Sequence, residues 1–142
     1  MGAKLFGIAA LAIAVIAVVP VKLTDAMFDF YLHATYIVVA ARHAILGFAL
    51  LCGVFAGLYY FGDRLLGHRL VNGLTLAHFL LWIFSFVIFV LEAHGLARAI
   101  RSQQDPRPLL AGFAAPLLAL IVGGILFITN LAWAIVLKLK TA

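Results

Sequence analysis

The sequence predicts an all-α integral membrane protein, a four-helix bundle in one domain, and three observations carry that prediction. Of its 142 residues 67% are hydrophobic and 11% charged, whereas a soluble domain covers its surface with roughly a quarter charged residues. The mean hydropathy is +1.22, so the bilayer is the expected solvent. Four apolar runs, separated by short polar segments, nearly fill the chain, since each crossing of ~30 Å of hydrocarbon takes about 20 helical residues at 1.5 Å each.

The first span is expected at residues 5–21. Met1 to Lys4 and the apolar stretch after them imitate a signal peptide, but Pro20-Val-Lys is not a small-x-small cleavage site, so the segment reads as a retained helix. A loop with Lys22, Asp25 and Asp29 leads to a second span at 33–60, in which Gly53 and Gly57 form a GxxxG. That motif lets another helix approach closely, within the chain or from a second copy. Turn glycines and charges at 62–69 precede a third span at 74–96. The most polar stretch, Arg98 to Pro108, precedes a fourth at 109–137, long enough to tilt or to kink at Pro116. Cys52, the single cysteine, lies in an apolar run and reads as a small buried side chain.

Four spans bring both termini to one side. That side carries Lys4, Arg64, Arg69, Lys138 and Lys140; the other carries Lys22, Arg98, Arg101 and Arg107, diluted by Asp25, Asp29 and Asp105. The excess places the termini in the cytoplasm. The net charge of +5 sits in loops, where anionic lipid is its natural partner and nucleic acid is not needed.

Ionisable groups inside spans are costly and mark candidate sites. Arg42 and His43 fall about a third of the way into the expected second span, ~12–15 Å from its start. His78 starts the third span and His94 ends it beside Glu92, while His33 begins the second. No HxxxH, HxH or CxxC is present, so no metal pair is preformed on one helix. His43 suits axial ligation of a haem, against the more ordinary reading of a histidine hydrogen-bonded to a neighbouring helix. Arg42 calls for an anion, such as Glu92 or a propionate, or for a hydrated surface.

The stretch Leu32-His-Ala-Thr-Tyr-Ile-Val-Val-Ala-Ala-Arg-His43 resembles the signature at the start of the tenth helix of subunit I of haem–copper oxidases. The likeness continues through Gly53, Phe55-Ala-Gly57, Gly67, Leu70 and Ala77-His-Phe79 to His94. It covers helices nine to twelve of that family, strongly over 32–96 and by composition elsewhere. The resemblance puts His43 where the family has its low-spin haem ligand. Two positions earlier, the high-spin ligand is replaced by Ala41, and the aromatic between them by Arg42. His33 matches a histidine near the propionates whose acidic neighbour is here Ala34. His94 matches a family histidine at the outer end of the next helix. The family's paired arginines fall near Gln103 and Gln104, leaving Arg98 and Arg101 as nearby substitutes.

These departures exclude a haem–copper centre within one chain, so no oxygen reduction is expected of the protein alone. The resemblance implies a bacterial inner-membrane protein with loops 22–32 and 97–108 outside. Three readings stay open. The first is an electron-transfer cytochrome with a low-spin haem, of type b or else type a, on His43, with Arg42, His33, Arg98 and Arg101 toward the propionates. Its second ligand would come from another copy in a homo-oligomer (dimer or trimer), and its redox partner would be a quinol or cytochrome c. The second is a cofactor-free accessory or assembly subunit of a respiratory complex. The third is an outer-face copper or zinc site at His33, Glu92 and His94. The sequence holds no phosphate loop or nucleophile elbow.

Overall fold

Helices form where the apolar runs lie, but their ends fall differently from the expected ones. The computed structural model of the chain describes residues 1–18, 27–32, 35–67, 69–102 and 112–141. Helix α1 spans Gly2–Val18, α2 Ala41–Leu65, α3 Asn72–Arg101 and α4 Ala114–Leu139. The architecture is a helical bundle. Segments Arg42–Leu65, Asn72–Leu96 and Ala114–Leu139 are each long and apolar enough to cross a membrane, which makes the chain a membrane protein. α1, with 17 residues, reaches ~26 Å and stands at the lower limit of a span.

The start of the second span differs from the expected one. The second span was expected from residue 33, yet α2 begins at Ala41. Before it, strand β1 (Met27–Leu32) and strand β2 (Thr35–Ala40) pair antiparallel, with Met27 opposite Ala40 and Leu32 opposite Thr35. The reason is local: Thr35-Tyr-Ile-Val-Val39 is a run of β-branched and aromatic residues, which lose side-chain freedom in a helix and fit a pleated strand. Arg42 and His43 therefore lie in the first turn of α2, not a third of the way into a span. Pro116 differs too. It sits in the first turn of α4, where its missing N–H would have had no helical partner, so it ends no helix and kinks none. α3, conversely, runs five residues past the expected end at 96, to Arg101.

The helices associate as two antiparallel pairs, α1 with α2 and α3 with α4. α1 buries Phe6, Ala9, Ile13 and Ala17 at helical spacing, and its alanines allow the backbones to come close. Gly2 packs so tightly on α2 and α3 that a Cβ there would stand 2.6 Å from the Tyr59 ring and 2.7 Å from Thr75 Cγ2. The start of α1, the α2–α3 turn and the end of α4 therefore share one end of the bundle.

That end is closed by basic side chains on helix carbonyls. α2 stops at a turn in which Gly67 adopts φ +65°, the left-handed conformation that glycine tolerates at helix C-termini. Beyond it Arg69 Nη1 donates to the Leu137 carbonyl (2.6 Å), and Lys138 Nζ donates to the Leu65 carbonyl (2.8 Å). Each cation meets the negative end of a helix dipole. Arg69→Ala is expected to lower stability by about 1 kcal/mol, seen as an earlier midpoint in sodium dodecyl sulfate titration of the detergent-solubilised protein, with a smaller shift for the exposed Lys138.

Candidate functional site

Among the described residues most of the buried polar side chains gather on one face of α3. Thr75, His78, Trp82 and Ser85 recur every three or four residues and are all buried, which sets them on one stripe. His78 lies ~9 Å along α3 from its start and is fully enclosed, at 0% exposure. Its imidazole is ringed by aromatics from all three other helices: Phe6 of α1 (5.0 Å between centroids), Phe55 (4.7 Å) and Tyr59 of α2, and Phe127 of α4 (5.6 Å). Trp82 stands at 6.1 Å. Gly123 of α4 admits the ring, since a Cβ there would lie 3.2 Å from His78 Cδ2.

Hydrogen bonds tie this stripe to the neighbouring helices. The Tyr59 hydroxyl stands 3.0 Å from His78 Nδ1 and within reach of the Thr75 and Asn130 side chains. Asn130 of α4 grips the start of α3 with both ends of its amide. Its Oδ1 accepts the Val71 N–H (2.8 Å), while its Nδ2 donates to the Val71 carbonyl (3.2 Å) and to Thr75 Oγ1 (3.0 Å). Deeper along α3, Ser85 Oγ donates to the Pro116 carbonyl (2.7 Å). On this stripe two buried ring nitrogens, His78 Nε2 and Trp82 Nε1, have no oxygen or nitrogen partner among the described residues. The Cys52 thiol lies beside Trp82.

A pocket of about 220 Å³ opens at the charged end and reaches this network. Lys4, Asp63, Arg64 and Asn72 line it, with the nearly buried Tyr59 and Thr75 among its walls. Arg64 lies 4.9 Å over the Tyr60 ring, an orientation that cation–π attraction favours.

The residues singled out from sequence lie elsewhere. His43 and Arg42 are exposed in the first turn of α2. His43 shares the outward face of α2 with Gly47, Leu50, Val54 and Gly57 by helical spacing, and a Cβ at Gly47, Gly53 or Gly57 would meet nothing within 4 Å. The GxxxG therefore does not serve packing among the described residues. Arg98 is exposed near the end of α3, and Arg101 closes that helix. Both stand at the end of the bundle where α2 starts. His33 lies outside the described residues. Glu92 turns toward α4, where a Cβ on Gly112 would lie 2.5 Å from its carboxylate. Glu92 Oε2 and His94 Nδ1 are buried without partners among the described residues. Two residues apart on a helix they do not face each other, and no three His, Cys, Asp or Glu side chains converge among the described residues. A haem on His43 fits only by half: the imidazole is available, but a second ligand and enclosing walls must come from outside this chain.

Tyr59, Thr75, Ser85 and Asn130 were missed by sequence reasoning, and His78 was set at the edge of its span. The available signal was uncharged polar residues inside apolar runs, three and four apart on α3. No protein-family model matches the chain, and no solved structure matches it.

Proposed function

We propose that the chain is a membrane electron-transfer unit in which His43 supplies one axial ligand to a low-spin haem, of type b, and a second copy supplies the other. The observation that carries this reading is the exposed His43 imidazole on an outward face of α2 flanked by open glycines. Small residues of this kind let a second helix come close, and two imidazoles are what a six-coordinate haem requires. The likeness of residues 32–96 to the oxidase core supports the same assignment, and Arg98, exposed at that end of the bundle, suits a propionate. On this reading the protein sits in a bacterial inner membrane with both termini cytoplasmic, and it hands electrons between a quinol or cytochrome and a larger respiratory assembly. The haem supplies the redox chemistry; the chain's share is to present the ligand, its counter-cation and a dry helix face.

Absorbance of the detergent-purified protein tests this. The expected result is a Soret band with about one haem per two chains, lost in His43→Ala while the helical circular dichroism is kept. A colourless wild-type protein that purifies only with other subunits would instead favour the accessory-subunit reading, which the open α2 face also fits.

A further inference from the structure

We propose that His78 is a proton-binding site inside the membrane-spanning bundle, loaded from the pocket at the charged end through the Tyr59 hydroxyl. The site is separate from His43 and does not depend on a haem there.

An ionisable side chain enclosed in a membrane span is costly unless it is used. The large majority of buried side-chain polar atoms have a hydrogen-bond partner. Here Nδ1 has Tyr59 at 3.0 Å, and Nε2 has no partner among the described residues. The enclosure keeps the imidazole neutral until a proton is delivered to it, because burial away from water disfavours the charged form. Phe6, Phe55 and Phe127 lie with centroids 4.7–5.6 Å from the imidazole and Trp82 at 6.1 Å, so the ring meets no solvent directly. The route is also present. Tyr59, bonded to His78 on one side, lines the pocket on the other together with Thr75. The pocket, about 220 Å³, has room for several waters.

The transfer balances without a cofactor. In the receptive tautomer Tyr59 O–H donates to Nδ1 and the ring hydrogen sits on Nε2. The Tyr59 O–H bond breaks as its proton passes to Nδ1, and a new O–H bond forms with a proton from hydronium in the pocket. Neutral tyrosine and an imidazolium remain, with Nδ1–H now donating to the Tyr59 oxygen. The neighbouring hydroxyl of Thr75 and amide of Asn130 give the reoriented tyrosine a place to point.

Among the described residues the groups that bear on this charge are few. From α2 come Tyr59 and, beside Trp82, Cys52; Phe6 of α1 brings no ionisable group, nor do Gly123, Phe127 and Asn130 of α4. Lys4, Asp63 and Arg64 line the pocket itself.

The experiment is nitrogen-15 NMR of the full chain, histidine-labelled, in lipid nanodiscs, with His78→Gln identifying the resonances. As pH falls from about 8 to about 4, the His78 nitrogens are expected to move from the neutral to the imidazolium pattern. Tyr59→Phe keeps the ring and removes the hydroxyl, and it should slow exchange of the His78 ring N–H with water about a hundredfold, the scale on which a positioned proton-transfer group acts. A neutral imidazole throughout overturns the proposal, as does exchange unchanged in Tyr59→Phe. Should that variant not fold, the titration of the unaltered protein decides alone.

Discussion

Replacing Phe6 by alanine should destabilise the bundle by about 2–3 kcal/mol. Phe6 is fully buried and touches Phe55, Tyr59, His78 and Phe79, so it joins α1 to both α2 and α3. In water such a truncation loses a transfer term and a cavity term, together about 3–5 kcal/mol for phenylalanine. In lipid the transfer term largely vanishes, because acyl chains are as apolar as the core, and lost packing remains. The expected effect is therefore the cavity share alone. Denaturation by sodium dodecyl sulfate, followed by circular dichroism, reads it directly. Phe61, 63% exposed on α2, is the control, and Phe61→Ala should leave the midpoint unchanged. Equal losses at both positions would mean that Phe6 is not the keystone its contacts describe.

Asn130→Leu is expected to cost about 1–3 kcal/mol through a different mechanism. The side chain fits by volume, but the Val71 N–H loses its acceptor, and Thr75 Oγ1 and the Val71 carbonyl lose a donor. Hydrogen bonds between membrane helices average under 1 kcal/mol each, so the loss exceeds that of one bond because three are broken at once. The N-terminus of α3 should loosen first, seen as faster amide exchange at residues 71–75. Thr129→Val at the preceding position is the comparison: among the described residues its hydroxyl bonds only to the Ile125 carbonyl of its own helix, and it is exposed, so stability should hardly change.

How much of this was legible in the sequence depends on the property asked for. The membrane character and the helical bundle followed from composition, because hydrophobic length is a coarse quantity that no tertiary contact overrides. The start of α2 did not follow. Residues 33–60 are apolar almost without interruption, and hydropathy alone does not separate a strand of Thr35-Tyr-Ile-Val-Val39 from the first turns of a helix. That uncertainty moved His43 from the interior of a span to its first turn. His78 was visible as an ionisable residue, but its enclosure was not. It is made by Phe6, Tyr59 and Phe127, which are 72, 19 and 49 residues away in the chain, and only the antiparallel pairing of α1 with α2 and of α3 with α4 brings them together. Asn130 reads as a lone polar residue in α4 until Val71 is placed opposite it.

The distribution of partners along α3 bears on how the protein is made. A nascent α3 reaching the bilayer carries Thr75, His78 and Ser85. Thr75 has the Val71 carbonyl of its own segment, but the remaining partners belong to other segments: Tyr59 on the helix already inserted, Asn130 and Pro116 on one still emerging from the ribosome. Its insertion is thus half-supported until the last helix arrives. A stop codon or cleavage between residues 102 and 112 would leave Ser85 and the start of α3 facing lipid alone, so truncated chains of this length should be cleared by membrane proteases, and co-expression of the missing C-terminal helix as a separate peptide should rescue them.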